Sequence, residues 1–204
     1  MKFSLKDSIK WSIFISGVTF SLACLFSIIS NSIMEKAGLI TGICIVIVII
    51  GIGIFFDILG LASASANELP YHAMASERVP GAKQAIGIVR NADRFSNICN
   101  DVIGDICGVL SGGATALVVI ILLTSSGNTS DLVETVVSVL FAAIVSALTV
   151  GGKAMGKSFA IHYATDIVLV IGKVFYFLEQ KLGLRIFQLR KNKPNGKRGK
   201  KRVS

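Results

Sequence analysis

Charge is scarce in this chain. Asp, Glu, Lys and Arg make up 16% of its 204 residues, against about 25% in an ordinary soluble domain. Hydrophobic residues make up 52%, and the mean hydropathy is +0.71. That balance excludes a disordered chain, a coiled coil and an ordinary cytosolic enzyme. Paired cysteines are missing as well. Cys24, Cys44, Cys99 and Cys107 show no C-x-x-C spacing, and each lies in or beside an apolar run. They read as small hydrophobes, not as a disulfide framework or a zinc site. No phosphate loop is present, and no serine or cysteine belongs to a base-and-orienter set, so enzymatic activity is not expected. Acid is absent from residues 181–204, which hold ten Lys or Arg.

That last absence explains the net charge of +9, because residues 1–180 hold eleven basic and twelve acidic side chains. The tail contains Lys193-Pro194-Asn195-Gly196 and is expected to be disordered. Beside a membrane it would be drawn to anionic lipid headgroups by about 1 kcal/mol per basic residue near the surface. No nucleic-acid partner is expected of a tail that follows a membrane domain.

Long apolar runs are what the chain does have. Trp11 to Ser30 and Ala37 to Phe56 are uncharged for twenty residues each, and Ile106 to Ser130 for twenty-five. Leu132 to Val150 is apolar apart from Glu134. Each can cross a hydrocarbon core of roughly 30 Å as a helix. Lys2, Lys6 and Lys10 precede the first run, and Ser21-Leu22-Ala23-Cys24 faintly resembles a lipoprotein cleavage site. The run continues through Ile29, so an uncleaved helix is expected.

With the N-terminus inside and four spans, twenty of the twenty-one basic residues are cytoplasmic, which sets the expected orientation. Phe159 to Leu178 is a further apolar stretch, with Asp166, Lys173 and Gln180 recurring every seven positions. One polar stripe on an apolar helix predicts an interfacial helix on the cytoplasmic surface. Between spans two and three, Pro70 reads as a helix start, Val79-Pro80-Gly81-Ala82 as a turn, and Ala82 to Arg90 as a second short helix. The expected fold is therefore all-α: a polytopic membrane protein of about four transmembrane helices, a cytoplasmic helical hairpin and an amphipathic juxtamembrane helix.

The acids within the runs are few. Asp57 closes the second, and Asp101 and Asp105 open the third, sharing a helix face at i, i+4 with Asn97 one turn before. Gly104, Gly108 and Gly112 run beside them, a stripe that admits a close helix neighbour. Oxygen ligands of this kind suit a hard cation such as Mg²⁺. Equally, the three carboxylates could reach water at the cytoplasmic boundary. His72 and His162 read as surface residues.

Residues 39–180 resemble the transmembrane domain of the CNNM/CorB–CorC magnesium transporters. The matching features run in order: Phe56 and Ala62 six apart, Gly81-Ala82, Asn91-Ala92-Asp93-Arg94-Phe95, Asn100-Asp101 with Asp105 four beyond, Gly152-Lys153-Ala154-Met155-Gly156-Lys157-Ser158-Phe159-Ala160, and His162-Tyr163-Ala164. The resemblance implies a homodimer, three core spans, a juxtamembrane belt and a Mg²⁺ site between the spans. On this division, residues 1–38 add an N-terminal helix and short outer loop, and residues 181–204 are the basic tail.

The departures concern charge. The family's first-motif Ser and Glu fall at Asp57 and Gly60, its two asparagines at Asp101 and Asp105, its pre-terminal Glu at Lys153 and its Pro at Gly156. Its nucleotide-binding regulatory pair does not follow in this sequence. The expectation is thus a divalent-cation (Mg²⁺) transporter or Mg²⁺-binding protein of the cell membrane, multi-pass, with both termini cytoplasmic. Asp57, Asp101 and Asp105 are expected to converge on the ion, with Lys153 as a counter-charge facing Asp101 or Asp105. The alternatives are a non-transporting scaffold or partner subunit with a structural Asp–Lys network, or a proton-coupled carrier.

Overall fold

The computed structural model describes residues 5–34, 38–125 and 131–182. The elements are α1 (Leu5–Met34), α2 (Leu39–Ser65), α3 (Leu69–Ser76), α4 (Ala82–Arg90), α5 (Ala92–Asn97), a π-helical segment (Ile98–Gly104), α6 (Asp105–Ser125), α7 (Asp131–His162) and α8 (Ala164–Leu182). Among the described residues there is no strand. Most of the basic tail lies outside them.

Among the described residues, four stretches are long and apolar enough to cross a membrane: Ile9–Ile33, Leu39–Ser65, Ala92–Ser125 and Leu132–His162. The chain is a multi-pass membrane protein, and helices are the form that satisfies every backbone group where no water reaches. The third span joins α5, the π segment and α6 into 34 residues, about 51 Å at the α-helical rise. The third and fourth spans are longer than the uncharged runs inside them, because helix continues through turns that carry charge at their ends. Thus α7 extends past Val150 to His162, and a single residue, Tyr163, separates it from α8. The stretch Phe159–Leu178 is therefore divided between two helices.

Helix α2 is the hub, packing against α5, the π segment, α6, α7 and α8. Most of its buried positions, Gly42, Val46, Ile50, Gly53, Asp57, Gly60 and Ser63, recur every three or four residues, which places them on one face, while buried Ala62 points to the opposite side. Two apolar clusters pack along the helix, the first on that face and the second around Ala62. Val46 and Ile50 meet Ala114 and Val118 of α6. Further along, Ala62 meets Tyr71 of α3, Ala85, Ile86 and Ile88 of α4, Ala160 of α7, and Val168 and Ile171 of α8. Asp57 falls between the two.

Helix α2 ends where Ala66 turns extended (φ −73°, ψ 142°), and Pro70 stands in the first turn of α3. Arg78 (φ +60°) and Gly81 (φ +87°) turn the chain into α4. Gly81 is also pressed against α8: a Cβ there would lie 2.5 Å from the backbone nitrogen of Lys173. Gln84 Nε2 donates to Glu179 Oε2 at 2.7 Å, and the Tyr71 hydroxyl donates to the Thr165 carbonyl at 3.0 Å. These bonds tie α3 and α4 to α8.

Candidate ion-pair site between the spanning helices

Asp57 is 6% exposed. Its Oδ2 lies 3.0 Å from Nζ of Lys153 on α7, whose side chain is 25% exposed. Asp57 is eight residues from the end of α2 and Lys153 nine from the end of α7, about 12 and 14 Å along their axes. Gly152 and Gly156 flank Lys153, and Ile54 and Ile58 of α2 pack onto them. A Cβ on Gly156 would sit 2.9 Å from Ile58 Cγ1. The close approach brings the ammonium to the carboxylate.

Helix α6 and the π segment close the other side through an antiparallel seam. A Cβ on Gly104 would run into the Asp57 carboxylate, and one on Gly60 into the Asn100 amide. Further along, a Cβ on Gly53 would meet Cys107 Cβ at 3.0 Å. Each helix sets a polar side chain against the other's glycine. Asn100 Nδ2 donates to Ser96 Oγ at 3.2 Å, while its Oδ1 is buried without a hydrogen-bond partner among the described residues. One turn from Asp57, the Gly60 carbonyl accepts from Ser63 Oγ at 2.7 Å.

The expected convergence of three aspartates is corrected by this arrangement. Asp57 is buried, whereas Asp101 and Asp105 are both exposed. Among the described residues no three His, Cys, Asp or Glu side chains are grouped to hold a metal. Lys153 pairs with Asp57 and not with Asp101 or Asp105. The two outer aspartates do share a face, as their spacing requires, but it is the outward one. Asn100 and Gly104 are the residues of this stretch that face α2. Asn100 was not among the expected site residues; the signal available in the sequence was glycine at Gly60 and Gly104, where a backbone must come close to a side chain.

Of the glycine stripe, Gly104 alone meets a neighbour; no other described residue lies within 4 Å of a Cβ placed on Gly108 or Gly112. His72 and His162 are exposed. His72 Nε2 lies 2.8 Å from Glu68 Oε1, which also receives Arg90 Nη2 at 2.6 Å. The Arg90 hydrogen bond, then that of His72, holds the Glu68 carboxyl below its usual range. Cys24 and Cys44 are exposed and Cys99 and Cys107 buried, all four free.

Comparison of the chain with family models, with curated proteins and with solved structures gives no match.

Proposed function

We propose that this protein handles a divalent cation, Mg²⁺, at Asp57 in the cell membrane, and that Lys153 stands in the cation's place in the conformation described. The observation that carries this reading is the 3.0 Å contact between the Lys153 ammonium and the buried Asp57 carboxylate. An apolar pair would serve stability as well or better, so a buried ion pair calls for another reason. Ionisable groups inside spanning helices mark ion or proton pathways by default. Asn100 Oδ1, buried in the seam beside Asp57 and without a hydrogen-bond partner among the described residues, is a further hard oxygen of the kind Mg²⁺ takes. The resemblance to the CNNM/CorC transmembrane domain points the same way, with Lys153 where that family has Glu. The proposal includes both termini in the cytoplasm, α3, α4 and α8 at the cytoplasmic face, a homodimer and no enzymatic activity.

A second reading, a non-transporting scaffold or partner subunit, is favoured by the outward position of Asp101 and Asp105. The test compares wild type, Lys153→Ala and Lys153→Ala/Asp57→Asn. In each, thermal stabilisation by millimolar Mg²⁺ and uptake into liposomes are measured. Removing the tethered cation should expose the site, so Lys153→Ala should gain stability from Mg²⁺, about 2.7 kcal/mol at a hundredfold excess over the dissociation constant. Asp57→Asn should cancel that gain. If no protein of the three responds to Mg²⁺, the scaffold reading replaces the transporter.

A further inference from the structure

Helix α8 has two apolar faces. Val168 and Ile171 are buried in the cluster it forms with α2, α3 and α4. On the other face Val170, Val174 and Phe177 are 58%, 54% and 65% exposed. They recur at four and three residues, one stripe on the helix surface. A shallow groove of about 360 Å³ runs along this stripe, with Lys173 and Lys181 at its rims. Both lysines are exposed. Asp166, Lys173 and Gln180, seven residues apart and exposed, form a polar edge along this face.

We propose that this second face docks on the anionic phospholipid surface of the bilayer that the chain itself spans. Val170, Val174 and Phe177 enter the acyl-chain boundary, and Lys173 and Lys181 lie at the level of the phosphates. Three observations select this occupant. Helix α8 follows spanning helix α7 after one residue, so the bilayer surface is the nearest large body to it. Lys173 and Lys181 outnumber the one acid on the same edge, Asp166, and residues 183–204, which follow α8 directly, add nine Lys or Arg and no acid. An apolar face with a polybasic segment is the two-part signal that stable attachment to an anionic leaflet needs. The proposal rests on the membrane placement given above and is independent of the cation reading.

The test uses the full chain in lipid discs of phosphatidylcholine alone, or of phosphatidylcholine with one-third phosphatidylglycerol. Trp11 is the single tryptophan, so Phe177→Trp in a Trp11→Phe background reports on α8 alone. Quenching of the introduced indole by lipids brominated high in the acyl chain measures docking. The expected result is stronger quenching with phosphatidylglycerol, the docked-to-undocked ratio rising about fivefold for each basic residue engaged. High salt should reverse the effect, and Lys173→Glu with Lys181→Glu should reduce it. The salt arm leaves the α8 charges unaltered and so stands if the charge-reversed variant misfolds. Equal quenching in both discs would overturn the proposal. So would an indole quenched by aqueous iodide, which places the face in water, or one reached by neither quencher, which places it under protein. None of these outcomes bears on Mg²⁺ uptake, so the two readings fail separately.

Discussion

An ammonium and a carboxylate 3.0 Å apart between membrane helices depend on each other. Removing one leaves the other buried without a counter-charge, which costs about 3–5 kcal/mol, whereas replacing both can be neutral. Lys153→Ala should therefore lower stability by about that amount, and Lys153→Met/Asp57→Asn should restore most of it. A double-mutant cycle by denaturation in detergent measures the coupling. A Lys153→Ala cost no larger than that of a surface substitution would show that Asp57 reaches water. That Asp57 closes an apolar run was legible in the sequence, and Lys153 was expected as a counter-charge, though to Asp101 or Asp105. Their pairing was not, because they are 96 positions apart and only the packing of α2 on α7 makes them neighbours.

Among the elements, the π segment matters most for reading the site. Each of its turns takes in one more residue than an α-turn, so a phase counted from α-helical spacing does not hold through Ile98–Gly104. Spacing left Asp101 and Asp105 open between a shared site and water, and the family resemblance turned them inward, yet the glycine-lined seam admits Asn100 instead. Helix α3 is governed by Tyr71, which is fully buried, with its hydroxyl on the Thr165 carbonyl of α8. Tyr71→Phe should cost about 0.5–1.5 kcal/mol, the net worth of that hydrogen bond, because the Thr165 carbonyl keeps its place in the α8 ladder. Burial, opposed by that bond, raises the Tyr71 phenol from 10.0 to about 12. A group with a raised folded pKa stabilises fully below its unfolded value and loses that contribution as pH rises through the folded one. Tyr71 should thus support the fold up to pH 10 and cease to do so toward pH 12. Ultraviolet titration of wild type against Tyr71→Phe checks this: the variant should lack a phenolate step near pH 12.

For the whole molecule, the distribution of basic residues predicts both termini inside. Asn128→Cys should be labelled from outside intact cells and Asn195→Cys should not; labelling of the latter would sink the topology. Assembly makes a separate prediction. Gly108 and Gly112 are exposed, and no other described residue lies within 4 Å of a Cβ placed on either, on the strip that also carries Asp101 and Asp105. If that strip is the dimer face, Gly108→Leu should shift the detergent complex toward monomer while the protomer's melting changes little. An unchanged oligomer would assign the strip to lipid. The all-helical class and the four spans followed from the sequence alone, because hydrocarbon demands long apolar helices and apolar length can be counted residue by residue. The surplus of basic residues at one end is likewise local and countable. Which aspartate is buried, which cation-bearing side chain meets it, and which glycines are seams and which are surface were decided only by tertiary packing. In a helix that is apolar on every side, no polar–apolar alternation tells the chain's neighbour from lipid.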